Sequence, residues 1–164
     1  MRRTNTTMAA HNTIGLDTSK SAELARGLND LLANYSILYQ NVRGYHWNIK
    51  GEKFFELHLK FEEIYSNLVL KIDEIAERIL TLGHAPEHRY SAYQSISEIK
   101  ESIETTEGKK GLQEVVKAFS ILLLKERNLL ALSSEANDEG TNALMSDYIR
   151  EKEKMVWMYE AFLK

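Results

Sequence analysis

At 164 residues the chain is long enough for one domain with a substantial core and too short for two. It contains no cysteine, which excludes disulfides and thiolate metal sites and leaves His, Asp and Glu as its transition-metal ligands. A formal charge of −3 argues against general polyanion affinity, and no run of 18 apolar residues is present to span a membrane.

Residues 1–18 are polar, rich in Thr and Asn, and aperiodic, so they are expected to form a flexible tail ahead of a domain over 19–164. The tail carries Arg2 and Arg3 but no apolar stretch of signal-peptide length, which together with the missing cysteines suits a cytoplasmic protein. Helical periodicity begins near Ser19. Leu24, Leu28, Leu31, Tyr35, Leu38, Val42 and Tyr45 step by three and four and end near Trp47. Asn48–Gly51 interrupts the pattern. A second helix is predicted from about Lys53 to Leu82, stopped by Gly83 and Pro86, with a stripe of Phe54, Leu57, Phe61, Ile64, Leu68, Ile72, Ile75 and Ile79.

Residues 83–110 form a long connection, in which Tyr93, Ile96 and Ile99 recur every third residue and suggest a short helix. A third long helix is predicted from about Gly111 to Ala136, with Leu112, Val115, Phe119, Leu122, Leu123, Leu129 and Leu130 apolar. Asn137–Gly140 reads as a tight turn with Thr141 as N-cap, and a fourth helix runs to Leu163, burying Leu144, Tyr148, Met155, Met158 and Phe162. The expected fold is all-α: a ferritin-like four-helix bundle whose long crossover between helices two and three carries a short helix.

Four residues of the second helix stand beside its apolar stripe, so core packing does not account for them. His58 and Glu62 are four apart and share a face, as do Asp73 and Glu77. Eleven residues separate Glu62 from Asp73. At about 100° per residue that is three turns plus roughly 20°, which puts both pairs on nearly one stripe, yet the rise is about 16 Å and no single ion spans it. The economical solution is a second copy of the helix, antiparallel across a two-fold axis, so that each His58/Glu62 end meets the other's Asp73/Glu77 end. His46, at the end of the first helix, is folded back toward His58 by the short turn. One chain then supplies His46, His58 and Glu62, and its partner Asp73 and Glu77. Imidazole with carboxylates is a ligand set for iron, manganese or zinc. The intrachain ferritin arrangement uses Glu-x-x-His on two helices, and this chain contains no Glu-x-x-His.

The segment YHWNIKGEKFFELHLKFEEIYSNLVLKIDEIAERIL, residues 45–80, resembles the signature of the Dps mini-ferritins. The matching elements are the His-Trp pair at 46–47, Gly51, Phe55, Leu57-His58 and the Asp-Glu-x-Ala-Glu-Arg run at 73–78. The likeness extends to WMYEAFL at 157–163 and to the short helix in the connection, covering about residues 20–163. The resemblance implies a hollow homododecamer that binds Fe(II) at two-fold interfaces, oxidises it preferentially with hydrogen peroxide and stores ferric mineral. The family's ligands fall on His46, His58 and Glu62 of one chain and Asp73 and Glu77 of the other, the pairing the helix geometry requires independently. Glu62 stands where members carry Asp or Glu.

The resemblance also sets Trp47 near the iron, although an interface aromatic is the simpler reading. Glu135, Asp138 and Glu139 read as a solvated turn, while the resemblance implies a three-fold pore whose acids attract Fe(II). HAPEH at 84–88 looks superficially like a zinc motif but lies at a helix end, and His11 carries no assigned role. The alternative function is nucleoid compaction by DNA binding. Its cations would be Arg2, Arg3 and Lys20, and twelve copies of the chain would carry about −36, which repels phosphate, although twelve tails can act multivalently.

Overall fold

Asp17 starts the first helix. Its carboxylate accepts hydrogen bonds from the backbone N–H groups of Ser19 and Lys20, two donors that a helix start leaves without partners. The structure, a computed structural model, describes residues 10–164. Helix α1 spans Thr18–Asn48, α2 Phe54–Thr81, α3 Tyr90–Ile96, α4 Gly108–Glu135 and α5 Glu139–Leu163. The four long helices form a bundle and α3 lies in the crossover between α2 and α4, as the sequence pattern requires.

The predicted stripes of α1 and α2 point inward. Leu28, Leu31, Tyr35 and Val42 of α1 and Phe61, Ile64, Ile75 and Ile79 of α2 are fully buried, with Phe119 and Leu122 of α4 and Met145 of α5. Two boundaries and one buried face differ from the sequence reading. Helix α4 begins three residues early, at Gly108, where a Cβ would stand 2.5 Å from Leu57. Helix α5 begins at Glu139, and its cap is Asp138 rather than Thr141. Near its end the inner face of α5 runs through Met155, Tyr159 and Leu163, so Met158 and Phe162, one position off that line, remain exposed instead of buried.

The tail reading is also refined. Residues 10–17 fold into a turn around Asn12, whose side chain accepts from the N–H groups of Ile14 and Leu16 and donates to Ser21 Oγ. Residues 1–9, with Arg2 and Arg3, lie outside the described residues.

Three asparagines of α1 fasten the crossover. Asn29 accepts from Glu87 N–H, Asn34 accepts from the N–H groups of Glu98 and Ile99, and Asn41 accepts from Ser102 N–H and donates to Lys100 O. The crossover has little regular structure of its own, so these side chains supply partners for its backbone groups, the buried Ile99 N–H among them. Gly51, in the turn from α1 to α2, has φ +104°, a conformation that side chains with a Cβ rarely adopt, and it closes the hairpin that returns α2 along α1.

Candidate metal centre on the outer face of α2

The hairpin brings the last turn of α1 against the first turn of α2. There His46 and His58 clasp one another. His46 Nδ1 bonds the backbone carbonyl of His58, and His58 Nδ1 bonds the backbone carbonyl of His46, both at 2.8 Å. A carbonyl only accepts, so each Nδ1 carries the hydrogen and each Nε2 keeps its lone pair for a metal. The imidazoles stack, with centroids 3.8 Å apart and planes 19° apart. Phe54 stacks on His58 at 5.0 Å, and Tyr65 meets His46 edge-on at 5.3 Å. Sequence reasoning placed Phe54 in the core stripe and gave Tyr65 no role, because ring stacking leaves no mark on a periodicity.

Glu62, Asp73 and Glu77 are exposed on α2. The neighbouring cations of α2 are engaged elsewhere: Lys71 pairs with Glu151, and Arg78 with Asp138. Among the described residues, no side chain forms an ion pair with Glu62, Asp73 or Glu77. Nor, among the described residues of this single chain, does any group of three or more His, Asp or Glu converge to hold a metal ion. The structure thus brings His46 to His58 and leaves the carboxylates spread along one helix, as the rise of about 16 Å demands.

What surrounds those carboxylates is apolar. Phe55, Leu59, Leu70 and Leu80 are each more than half exposed. Phe55, Glu62, Asp73 and Leu80 fall within roughly 20° of one another around the helix, roughly 150° from the buried stripe. Helix α2 therefore has a core face and a second, largely apolar outer face with the candidate ligands set in it. Trp47 is exposed beside the clasp, with the Arg43 guanidinium 4.6 Å over its ring.

The acids before α5 separate into two kinds. Glu135 and Glu139 are exposed. Asp138, expected with them in the pore, is buried. It bonds Arg78 Nη2 at 2.5 Å and accepts from both the N–H and the hydroxyl of Thr141. Its carboxylate caps α5 and ties it to the end of α2, which is a structural task rather than an open acid on a pore wall.

A second cluster, unsuspected from the sequence, occupies the middle of the bundle. Glu126 of α4 and Lys152 of α5 are fully buried and paired at 2.8 Å. Tyr35 of α1 donates to Glu126 Oε1 at 2.7 Å and accepts from Lys152. Tyr148 of α5 donates to Glu74 of α2 at 2.5 Å. Burial, reinforced by Glu126, pushes the Tyr35 phenol well above its ordinary value; burial pulls the Lys152 ammonium down against the opposing pull of Glu126. Glu126 Oε2 has no hydrogen-bond partner among the described residues.

The fold agrees with what known proteins show. A ferritin-like domain model matches residues 25–164. A DNA protection during starvation protein of Porphyromonas gingivalis is 43% identical over 148 residues, spanning 90% of this chain and 93% of its own length. This chain belongs to the Dps branch of the ferritin-like family. The crystal structure of a Dps protein from Vibrio cholerae superimposes with a TM-score of 0.93 at 57% identity, covering 98% of this chain and 100% of that one. It is described as a member of a broad superfamily of ferritin-like diiron-carboxylate proteins. A Dps protein of Bacillus brevis superimposes with a TM-score of 0.86 at 35% identity, over 89% of this chain and 98% of its own. The family match spans all five candidate ligands, so the Dps bundle and the outer face of α2 belong to one domain. No helix among the described residues is long and apolar enough to cross a membrane.

Proposed function

We propose that two copies of the chain pair through the outer faces of α2 and oxidise Fe(II) between them. The observation that supports this best is the combination on that one face: three carboxylates without ion pairs among the described residues, exposed apolar side chains around them, and two histidines held with Nε2 free at one end. In an antiparallel pair His46, His58 and Glu62 of one chain meet Asp73 and Glu77 of the other, giving two equivalent sites. Iron is the substrate. The imidazoles hold Fe(II), and the hard carboxylate oxygens favour the Fe(III) product.

Hydrogen peroxide is the proposed oxidant. It takes one electron from each of two Fe(II) ions and two protons, leaving two waters and two Fe(III), so no hydroxyl radical is released. The proposed assembly is a hollow dodecamer of about 227 kDa, twelve times 18.9 kDa, which stores the ferric mineral and protects the cytoplasm from oxidative damage. The names of relatives point to protection of DNA. Direct DNA binding is the weaker reading here, because the chain is acidic overall.

The deciding experiment is complementation. His58→Ala and Asp73→Ala chains should each oxidise iron slowly. In a mixed dimer one site collects both defects and the other is intact, so dissociating, mixing and reassembling the two should restore part of the activity. With exchange verified by mass-labelled chains, no recovery would show that His58 and Asp73 do not share a site.

A further inference from the structure

The Glu126–Lys152 pair needs a reason. A buried ion pair is no better a stabiliser than well-packed apolar side chains of the same volume, so stability does not explain it. Its surroundings are informative. The Glu126 carboxylate, the Tyr35 phenol and the Tyr148 phenol reach the bundle centre from α4, α1 and α5, with Tyr148 held from the rim by the exposed Glu74 of α2, and the Lys152 Nζ lies among them, 4.7 Å from the Tyr35 ring centre and 5.2 Å from that of Tyr148. Oxygen ligands converging from facing helices on one positive charge are the arrangement with which ferritin-like bundles hold metal in their cores. Here the positive charge belongs to the protein. Glu126 Oε2, unpartnered among the described residues, leaves the carboxylate able to take a further cationic partner.

We propose that the Lys152 ammonium stands in the cation position of a bundle-centre metal site and thereby keeps divalent metal out of the bundle. The missing Glu-x-x-His removes ligands from that place, and Lys152 removes the net negative charge that would draw a metal to those remaining. This proposal concerns the bundle centre alone and stands whether or not the α2 face proves to be the oxidation site.

The test silences the outer face first. In a chain carrying His58→Ala and Asp73→Ala, Lys152 is replaced by Glu, and Co(II) uptake is followed by equilibrium dialysis and visible absorption. The parent with Lys152 should take up no Co(II) in the bundle. The Lys152→Glu chain should bind a single Co(II), its melting temperature should rise with Co(II), and adding Glu126→Gln should abolish the binding. If Lys152→Glu folds only when Co(II) is added, recovery of the helical signal is the same result. If it stays unfolded with Co(II), Lys152→Ala, which adds no second carboxylate, decides by the same uptake. A folded variant that takes up no Co(II), bundle binding by the parent, or failure of both variants to fold in excess Co(II) would each overturn the proposal.

Discussion

Replacing Asp138 by Ala should cost the protein its stability and not its traffic in iron. The Asp138 side chain is 2% exposed and that of its partner Arg78 is 17% exposed. Removing one member of a buried pair costs about 3–5 kcal/mol, because the other charge is left uncompensated. Arg78 retains some solvent and its bond to Thr141 Oγ1 at 2.9 Å, which favours the lower end, about 3 kcal/mol. Losing the cap of α5 adds about 1 kcal/mol. Both losses come from one carboxylate and do not add fully, so about 3–4 kcal/mol is expected. For a chain of this size each kcal/mol moves the melting temperature by about 2–4 °C, so calorimetry should show a drop of roughly 10 °C. Well below that temperature the variant should still take up iron at nearly the normal rate. Glu135→Gln and Glu139→Gln, whose carboxylates are exposed, should do the reverse, slowing uptake without shifting the melting temperature. A drop of less than about 3 °C for Asp138→Ala, or slow uptake in an otherwise stable variant, would refute the structural role given to Asp138.

Placing charge on the outer face of α2, with Leu59→Asp and Leu70→Asp together, should leave the helices formed and dissociate the assembly; an unchanged sedimentation profile would mean that this face is not the contact. Asn34→Ala removes the acceptor for the Glu98 and Ile99 N–H groups, and hydrogen exchange at Ile99 should speed up roughly ten- to a hundredfold, the equivalent of leaving a buried donor unpaired; unaltered exchange would show that the crossover is held by other means. Phe54→Leu keeps an apolar side chain but loses the ring stack on His58, and Fe(II) oxidation should slow about tenfold with helical content unchanged, since small misplacement of a reacting group is costly. A normal rate would show that the Nδ1 bond to the His46 carbonyl and the stack on His46 orient His58 without help from Phe54.

The bundle and the candidate ligands were legible from the sequence because both rest on spacing. Seven apolar residues of α1 and eight of α2 follow the helical period, and His58, Glu62, Asp73 and Glu77 are placed by the same arithmetic. What lay beyond reach depends on which groups find one another across long separations. Asn34 and Ile99 are 65 residues apart, Arg78 and Asp138 are 60 apart, and nothing local marks either pair. Lys152 sits on an inner helical face where the period predicts an apolar residue, so its burial contradicts its type and only its partner Glu126 makes sense of it. Asp138 misled for a related reason: in a run of acids, sequence does not show which one turns inward.

The clasp between His46 and His58 bears on how such a site can change over generations. Each ring is fastened by the backbone carbonyl of the other residue, and each lies flat against the other. A substitution at position 46 removes a candidate ligand and also frees a ring face and a peptide oxygen at position 58; the reverse substitution does the same to position 46. The remaining ring keeps its Nδ1 bond, because the acceptor is a backbone carbonyl, so a single substitution costs it the stacked face and not its tether. The α1–α2 hairpin therefore couples the two candidate ligands through the stack they share, while Glu62, Asp73 and Glu77 stand on an exposed helix face without such a contact to one another.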